Sequence, residues 1–88
     1  MKILKLGNRF KKDATIAQRR GCDGAKLQAI VNLLVAAEPL PLRCRPHKLQ
    51  GEWQDHWECH IAPDWLLIYT FSETEIVLHR TGTHSDLF

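Results

Sequence analysis

Trp65-Leu66-Leu67-Ile68-Tyr69 is an unbroken apolar run set between Pro63-Asp64 and Ser72-Glu73-Thr74. Successive strand residues point to opposite faces, so apolar residues at every position describe a strand covered on both sides, as at the centre of a sheet. Its flanks extend the pattern. Strand-like runs cover about 53–62, 64–71 and 75–81, with Ser72-Glu73-Thr74 as a hairpin turn.

Upstream the period changes. Phe10, Ala14 and Ala17 recur at helical spacing, and Gly21 after Arg19-Arg20 offers a stop, predicting a helix near 9–20. Asp23 is placed to cap a second helix whose Leu27, Ile30, Val31, Leu34 and Val35 form one apolar stripe, ended near residue 37 by Pro39 and Pro41. Ile3, Leu4 and Leu6 before Gly7-Asn8 suggest a brief first strand, while 40–50 reads as a proline-punctuated loop carrying Arg43, Arg45, His47 and Lys48. Strand, two helices and consecutive hairpin-linked strands define an α+β domain: two N-terminal helices packed on a small, mainly antiparallel twisted sheet. With 88 residues the expectation is a single domain over 1–88, burying about 60–65% of its unfolded surface.

The hydrophobic share of 44% and charged share of 25% are those of a globular chain, and no apolar run approaches a membrane span or a secretion signal. The expected compartment is the cytoplasm, without membrane association. Cys22, Cys44 and Cys59 form no C-x-x-C pair, which predicts free thiols rather than a disulfide framework or structural zinc site. The formal charge of +2 is unevenly spread: residues 1–26 hold eight Lys/Arg against Asp13 and Asp23, so the remaining residues are net acidic. A basic N-terminal half is either a dock for a polyanion or a solvated helix surface.

Five histidines are many for this length, and His47, His56, His60 and His84 sit beside turn residues or acids. Cutting RNA without metal requires a base for the 2′-hydroxyl, cations for the pentacovalent phosphate and an acid for the departing 5′-oxygen. Imidazole suits both proton roles near neutrality. Asp64, at the start of the central strand, can orient a histidine, serve as base, or simply shape the turn. A metal site is not expected, because His56 and His60 on one strand lie roughly 13 Å apart. The adjacent His84, Ser85 and Asp86 cannot form a hydrolase triad, since neighbouring side chains diverge. Glycine-rich phosphate loops are absent from the sequence.

Three linked blocks carry a resemblance: His47-Lys48-Leu49-Gln50-Gly51-Glu52-Trp53, Glu58-Cys59-His60-Ile61-Ala62-Pro63-Asp64-Trp65-Leu66-Leu67-Ile68-Tyr69, and Arg80-Thr81-Gly82-Thr83-His84-Ser85-Asp86-Leu87-Phe88. Together they closely resemble the YafQ branch of the RelE/ParE toxin superfamily. The resemblance implies the toxin of a type II toxin–antitoxin pair, a cofactor-free mRNA interferase that enters the A site of the 70S ribosome and cuts translated mRNA. It also implies a cognate antitoxin, through which the complex binds operator DNA; the basic residues 1–26 predict that the antitoxin's toxin-binding segment is acidic. His47, His60, Asp64 and His84 match catalytic positions, with His60 and Asp64 assigned to the base side and His84 to the acid side. Trp65 and Phe88 match RNA-contacting positions, and Arg80 and Arg45 would hold phosphate. Trp57 stands where the family commonly has arginine, so the other arginines would have to supply the missing charge. Readings from other classes are a ParE-like gyrase inhibitor and a protein that only occupies the A site.

Overall fold

The computed structural model describes residues 1–88. In chain order the elements are β1 (Ile3–Leu6), α1 (Asn8–Arg19), α2 (Gly24–Val35), β2 (His47–Lys48), β3 (Trp57–Ala62), β4 (Trp65–Phe71), β5 (Glu75–Gly82) and α3 (His84–Leu87). Single 3-10 turns at Leu42–Cys44 and Gly51–Trp53 punctuate the segment between α2 and β3. The strands form one sheet in the order β1-β5-β4-β3-β2, parallel at β1/β5 and antiparallel elsewhere. The α+β class and mainly antiparallel sheet expected from the sequence are therefore present, with β4 at the centre.

The apolar run explains why β4 is central. Its residues alternate between two cores. Trp65, Leu67 and Tyr69 join Phe10, Ala17, Ile30, Val31, Cys59, Ile61, Ile76 and Leu78 under the helices. Leu66 and Ile68 point the other way and meet Leu87, with Leu49 and Trp53 alongside. Burying one such side chain contributes about 1.5–3 kcal/mol, so a strand buried on both faces is the heaviest single apolar contributor available to the chain.

Both helices end in the same way. After α1, Gly21 takes φ +84°, its N–H donates to the Gln18 carbonyl (3.1 Å), and that of Cys22 donates to Ala17 (3.0 Å). This is the left-handed turn that glycine adopts without penalty. After α2 the same turn is made by Ala37 at φ 57°, with Glu38 N–H donating to Leu33 (2.9 Å), so α2 stops before the prolines are reached. Asp23 caps α2 as expected, accepting from Ala25 N–H at 2.9 Å.

Three details differ from the sequence reading. The run beginning at 53 becomes a strand only at Trp57, because the Gly51–Trp53 turn and a left-handed Asp55 (φ 69°) come first. Part of the 40–50 loop is a strand, β2, which pairs His47 with Glu58 and Lys48 with Trp57. The chain also forms a third helix, α3, initiated by a capping box in which Asp86 N–H donates to Thr83 Oγ1 and Thr83 N–H donates to the Asp86 carboxylate.

Candidate active site

The face of the sheet opposite α1 and α2 carries the candidate chemistry. Cys59 and Ile61 of β3 point to the helices, so Glu58 and His60 point away from them. His47 on β2 lies across from Glu58, and His60 lies across from Leu66. The short helix α3 packs against this same face through Leu87, which brings His84 to it.

His84 is held by Asp64. Asp64 Oδ1 accepts from the His84 backbone N–H at 3.2 Å and lies 3.1 Å from His84 Nδ1. The His84 side chain, and then its backbone N–H, hold the Asp64 carboxyl below its ordinary range. Both side chains are more than half exposed, so this contact fixes an orientation rather than adding much stability. With Nδ1 turned to the carboxylate, Nε2 is left for proton transfer. The His60 ring centroid is 6.0 Å from that of His84, and the Phe88 ring lies 6.3 Å from His84 on the other side. His47 directs Nδ1 to the Arg45 carbonyl (2.8 Å) and Nε2 to Glu58 Oε1 (3.3 Å).

Both Asp64 contacts go to His84, because the β4–β5 hairpin returns the chain so that position 84 meets position 64. Trp65 lies inside the core. It is 6% exposed, and its indole N–H donates to Thr81 Oγ1 at 2.9 Å, while the Thr81 hydroxyl donates to the Leu66 carbonyl at 2.7 Å. A ring so enclosed packs the core and is not available to stack on a base. Arg80 is not a free phosphate ligand either, because Asp13 of α1 engages its Nε at 2.6 Å and Nη2 at 3.2 Å.

Trp57 loses its significance for the same geometric reason. One residue from Glu58, it projects to the helix side, half-buried against the main core with its ring 5.8 Å from that of Phe71. An arginine there would not reach the face that holds His60 and His84. Arg45 remains exposed and without an ion pair, lining a groove of about 740 Å³ with Lys26, Arg43 and His60. No Asp or Glu lines that groove.

One further acid sits beside His47 on this face. Glu58 is only 4% exposed, and its Oε2 has no hydrogen-bond partner. Its alternation with Cys59 along β3 puts it on the same side as His60. The histidines left aside, His56 and His79, stack edge-to-face on each other at 4.7 Å, and His79 shares a 2.8 Å hydrogen bond with Thr70. Burial, then His56, lowers the His79 pKa. Cys59 is fully buried and its thiol is pushed up to about 12, so it is inert as a nucleophile.

The sequence profile described as "Bacterial toxin of type II toxin-antitoxin system, YafQ" matches residues 2–88. The chain belongs to the YafQ toxin family. It is 37% identical over 86 residues to the mRNA interferase toxin YafQ of Escherichia coli K12, covering 97% of this chain and 94% of the relative. The YafQ-like fold also matches a chain of the crystal structure of the E. coli DinJ-YafQ toxin-antitoxin complex, with TM-score 0.90, 36% identity, and coverage of 99% of this chain and 97% of that one. A metal-bound toxin from Helicobacter pylori superposes with TM-score 0.92 at 36% identity over the full length of both chains. His47 and His60 belong to the sheet, and Asp64 from the β3–β4 turn, His84 from α3 and the following Phe88 gather beside His60.

Proposed function

We propose that this YafQ-family toxin is a ribosome-dependent, metal-independent endoribonuclease that cuts translated mRNA by 2′-hydroxyl attack. The observation that carries the reading is the pair His60 and His84, 6.0 Å apart, one of them oriented by Asp64. His60 takes the proton from the 2′-hydroxyl as the oxygen attacks phosphorus. His84 delivers a proton from Nε2 to the departing 5′-oxygen, and Asp64 holds the imidazolium in line through Nδ1–H. Phe88 packs the nucleotide, and exposed Arg45, with His47 at its carbonyl, supplies positive charge beside the scissile phosphate. The products are a 2′,3′-cyclic phosphate and a 5′-hydroxyl.

The test is primer extension on mRNA from cells induced without antitoxin, together with end-group analysis of the cut RNA. Cuts confined to translated messages, with cyclic or 3′-phosphate ends, are the expected result; 3′-hydroxyl ends would rule out this chemistry. In a reconstituted reaction, cleavage should survive EDTA with just enough magnesium to keep ribosomes intact. Because the Helicobacter relative is known with metal bound, zinc, copper and manganese are added back separately. Stimulation by any of them from an inactive chelated state would overturn metal independence.

In the resting cell the toxin is held by a cognate antitoxin, whose acidic segment lies on the basic helices and which tethers the pair to operator DNA. The complex of the E. coli relative supports an antitoxin partner, and the concentration of charge in residues 1–26 supports its acidity. Arg19→Glu together with Lys26→Glu should weaken antitoxin binding at least about tenfold, with a smaller loss at high salt. Calorimetry at two ionic strengths checks this, and unchanged affinity would leave the basic helices as a solvated surface. No observation favours gyrase inhibition or passive A-site occupancy.

A further inference from the structure

The four-residue helix α3 carries His84 on its first turn and is followed directly by Phe88. A helix this short has no stability of its own in water. Leu87 anchors one side of it in the small core, and what fixes its rotation is Asp86. One carboxylate oxygen, Oδ2, accepts from Thr83 N–H at 2.9 Å and from Arg20 Nη1 at 2.6 Å. Arg20 Nη2 lies 3.4 Å from the other oxygen. The Arg20 guanidinium, and then the Thr83 amide, hold the Asp86 carboxyl down to about 2, so the charge persists over all physiological conditions.

Arg20 is the residue that closes α1. Seven positions earlier, two turns back on the same side of that helix, Asp13 holds Arg80 and also accepts from Thr81 N–H at 3.2 Å. The segment leading into α3 is thus tied to α1 at both ends. Gly82 sits between the ties, where a Cβ would stand 2.9 Å from Asp86 Oδ2 and 3.0 Å from Asp86 Cβ. Only a residue without a side chain lets the carboxylate reach both Thr83 and Arg20.

We infer that Arg20 and Asp86 are positioning residues for His84, forming a clip that fixes α3 against the end of α1 so that the imidazole is presented to Asp64 and to substrate. The inference rests on the assignment of His84 to proton transfer. Neither clip residue touches the reacting atoms; they act by holding the turn that bears the histidine, and a displacement of about an ångström is enough to cost 10²-fold in rate.

The test is single-turnover cleavage on mRNA-programmed ribosomes with Arg20→Gln, Asp86→Asn and the double variant, each made in the wild-type and His84→Ala backgrounds. Arg20→Gln alters an exposed side chain and keeps the fold even if Asp86→Asn does not; thermal melting verifies both. Each single substitution should slow cleavage by about 10- to 100-fold, while binding of a 2′-O-methyl-blocked mRNA stays within about twofold. The double variant should be no slower than the worse single, because one contact is lost in both cases. Arg20→Lys should recover part of the rate. In the His84→Ala background the clip substitutions should cause no further loss. Wild-type rates in both singles, or an equal loss repeated without His84, would overturn the clip. If His84→Ala itself cuts at the wild-type rate, the proton-transfer assignment fails first.

Discussion

Replacing His84 by alanine should slow cleavage by at least about 10²-fold, toward the 10⁴-fold end of the range if protonation of the 5′-oxygen limits the rate. His60→Ala should fall in the same range. The pair should lose less together than the product of the two singles, because groups serving one transition state lose their effects jointly. Asp64→Asn separates orientation from charge. It retains an acceptor for the His84 backbone N–H but removes the anion facing Nδ1, so it should lower the rate while leaving RNA affinity intact. Single-turnover kinetics between pH 5 and 9 provide the measurement. A His84→Ala protein of undiminished rate, or an Asp64→Asn protein impaired only in RNA binding, would contradict the division of roles drawn from the geometry.

The second large effect concerns folding. Trp65→Ala removes the indole from beneath the helices and leaves the buried Thr81 hydroxyl oxygen without the N–H it accepts from, a change that costs about 3–5 kcal/mol for buried aromatic rings. Domains of this size have about 5–10 kcal/mol in total, so much of the population should unfold at growth temperature. Trp65→Phe keeps most of the apolar volume and loses only the hydrogen bond, and should cost about 1–2 kcal/mol with cleavage by the folded fraction retained. Urea melts and rates normalised to folded protein distinguish this from an RNA contact. If Trp65→Phe leaves stability unchanged and abolishes RNA binding, Trp65 belongs to the substrate and not to the core.

The parts of the fold that could be read from sequence are those whose cause is local. Residues 65–69 have no polar interruption, Asp23 marks the start of α2, and Gly21 marks the end of α1; each is a signal within a few positions. What could not be read depends on partners far away in the chain. β2 is two polar, exposed residues that become a strand only because Glu58 and Trp57 lie opposite. The parallel pairing of β1 with β5 brings Ile3 beside Glu75 without any mark in either segment. The α3 capping box, Thr83 with Asp86, was legible in principle, but four residues are too few for periodicity to reveal. Within the site, resemblance suggested His60, His84 and Asp64 as one group, whereas the distances and hydrogen bonds that join them came only with the fold. The contact of Asp64 with His84 was not legible because nineteen intervening residues must fold before the two meet, and Trp57 was given weight that the alternation of β3 removes.

The order of synthesis gives the topology a further meaning. β1 leaves the ribosome first, yet its sole strand neighbour is β5, one of the last elements made. His84, its Asp86 clip and Phe88 come later still. Until those residues emerge, the nascent chain holds helices without a complete sheet and His60 without His84. On the proposed mechanism such a chain lacks half of its proton-transfer pair, so cleavage awaits the C-terminal segment that carries His84 and Phe88.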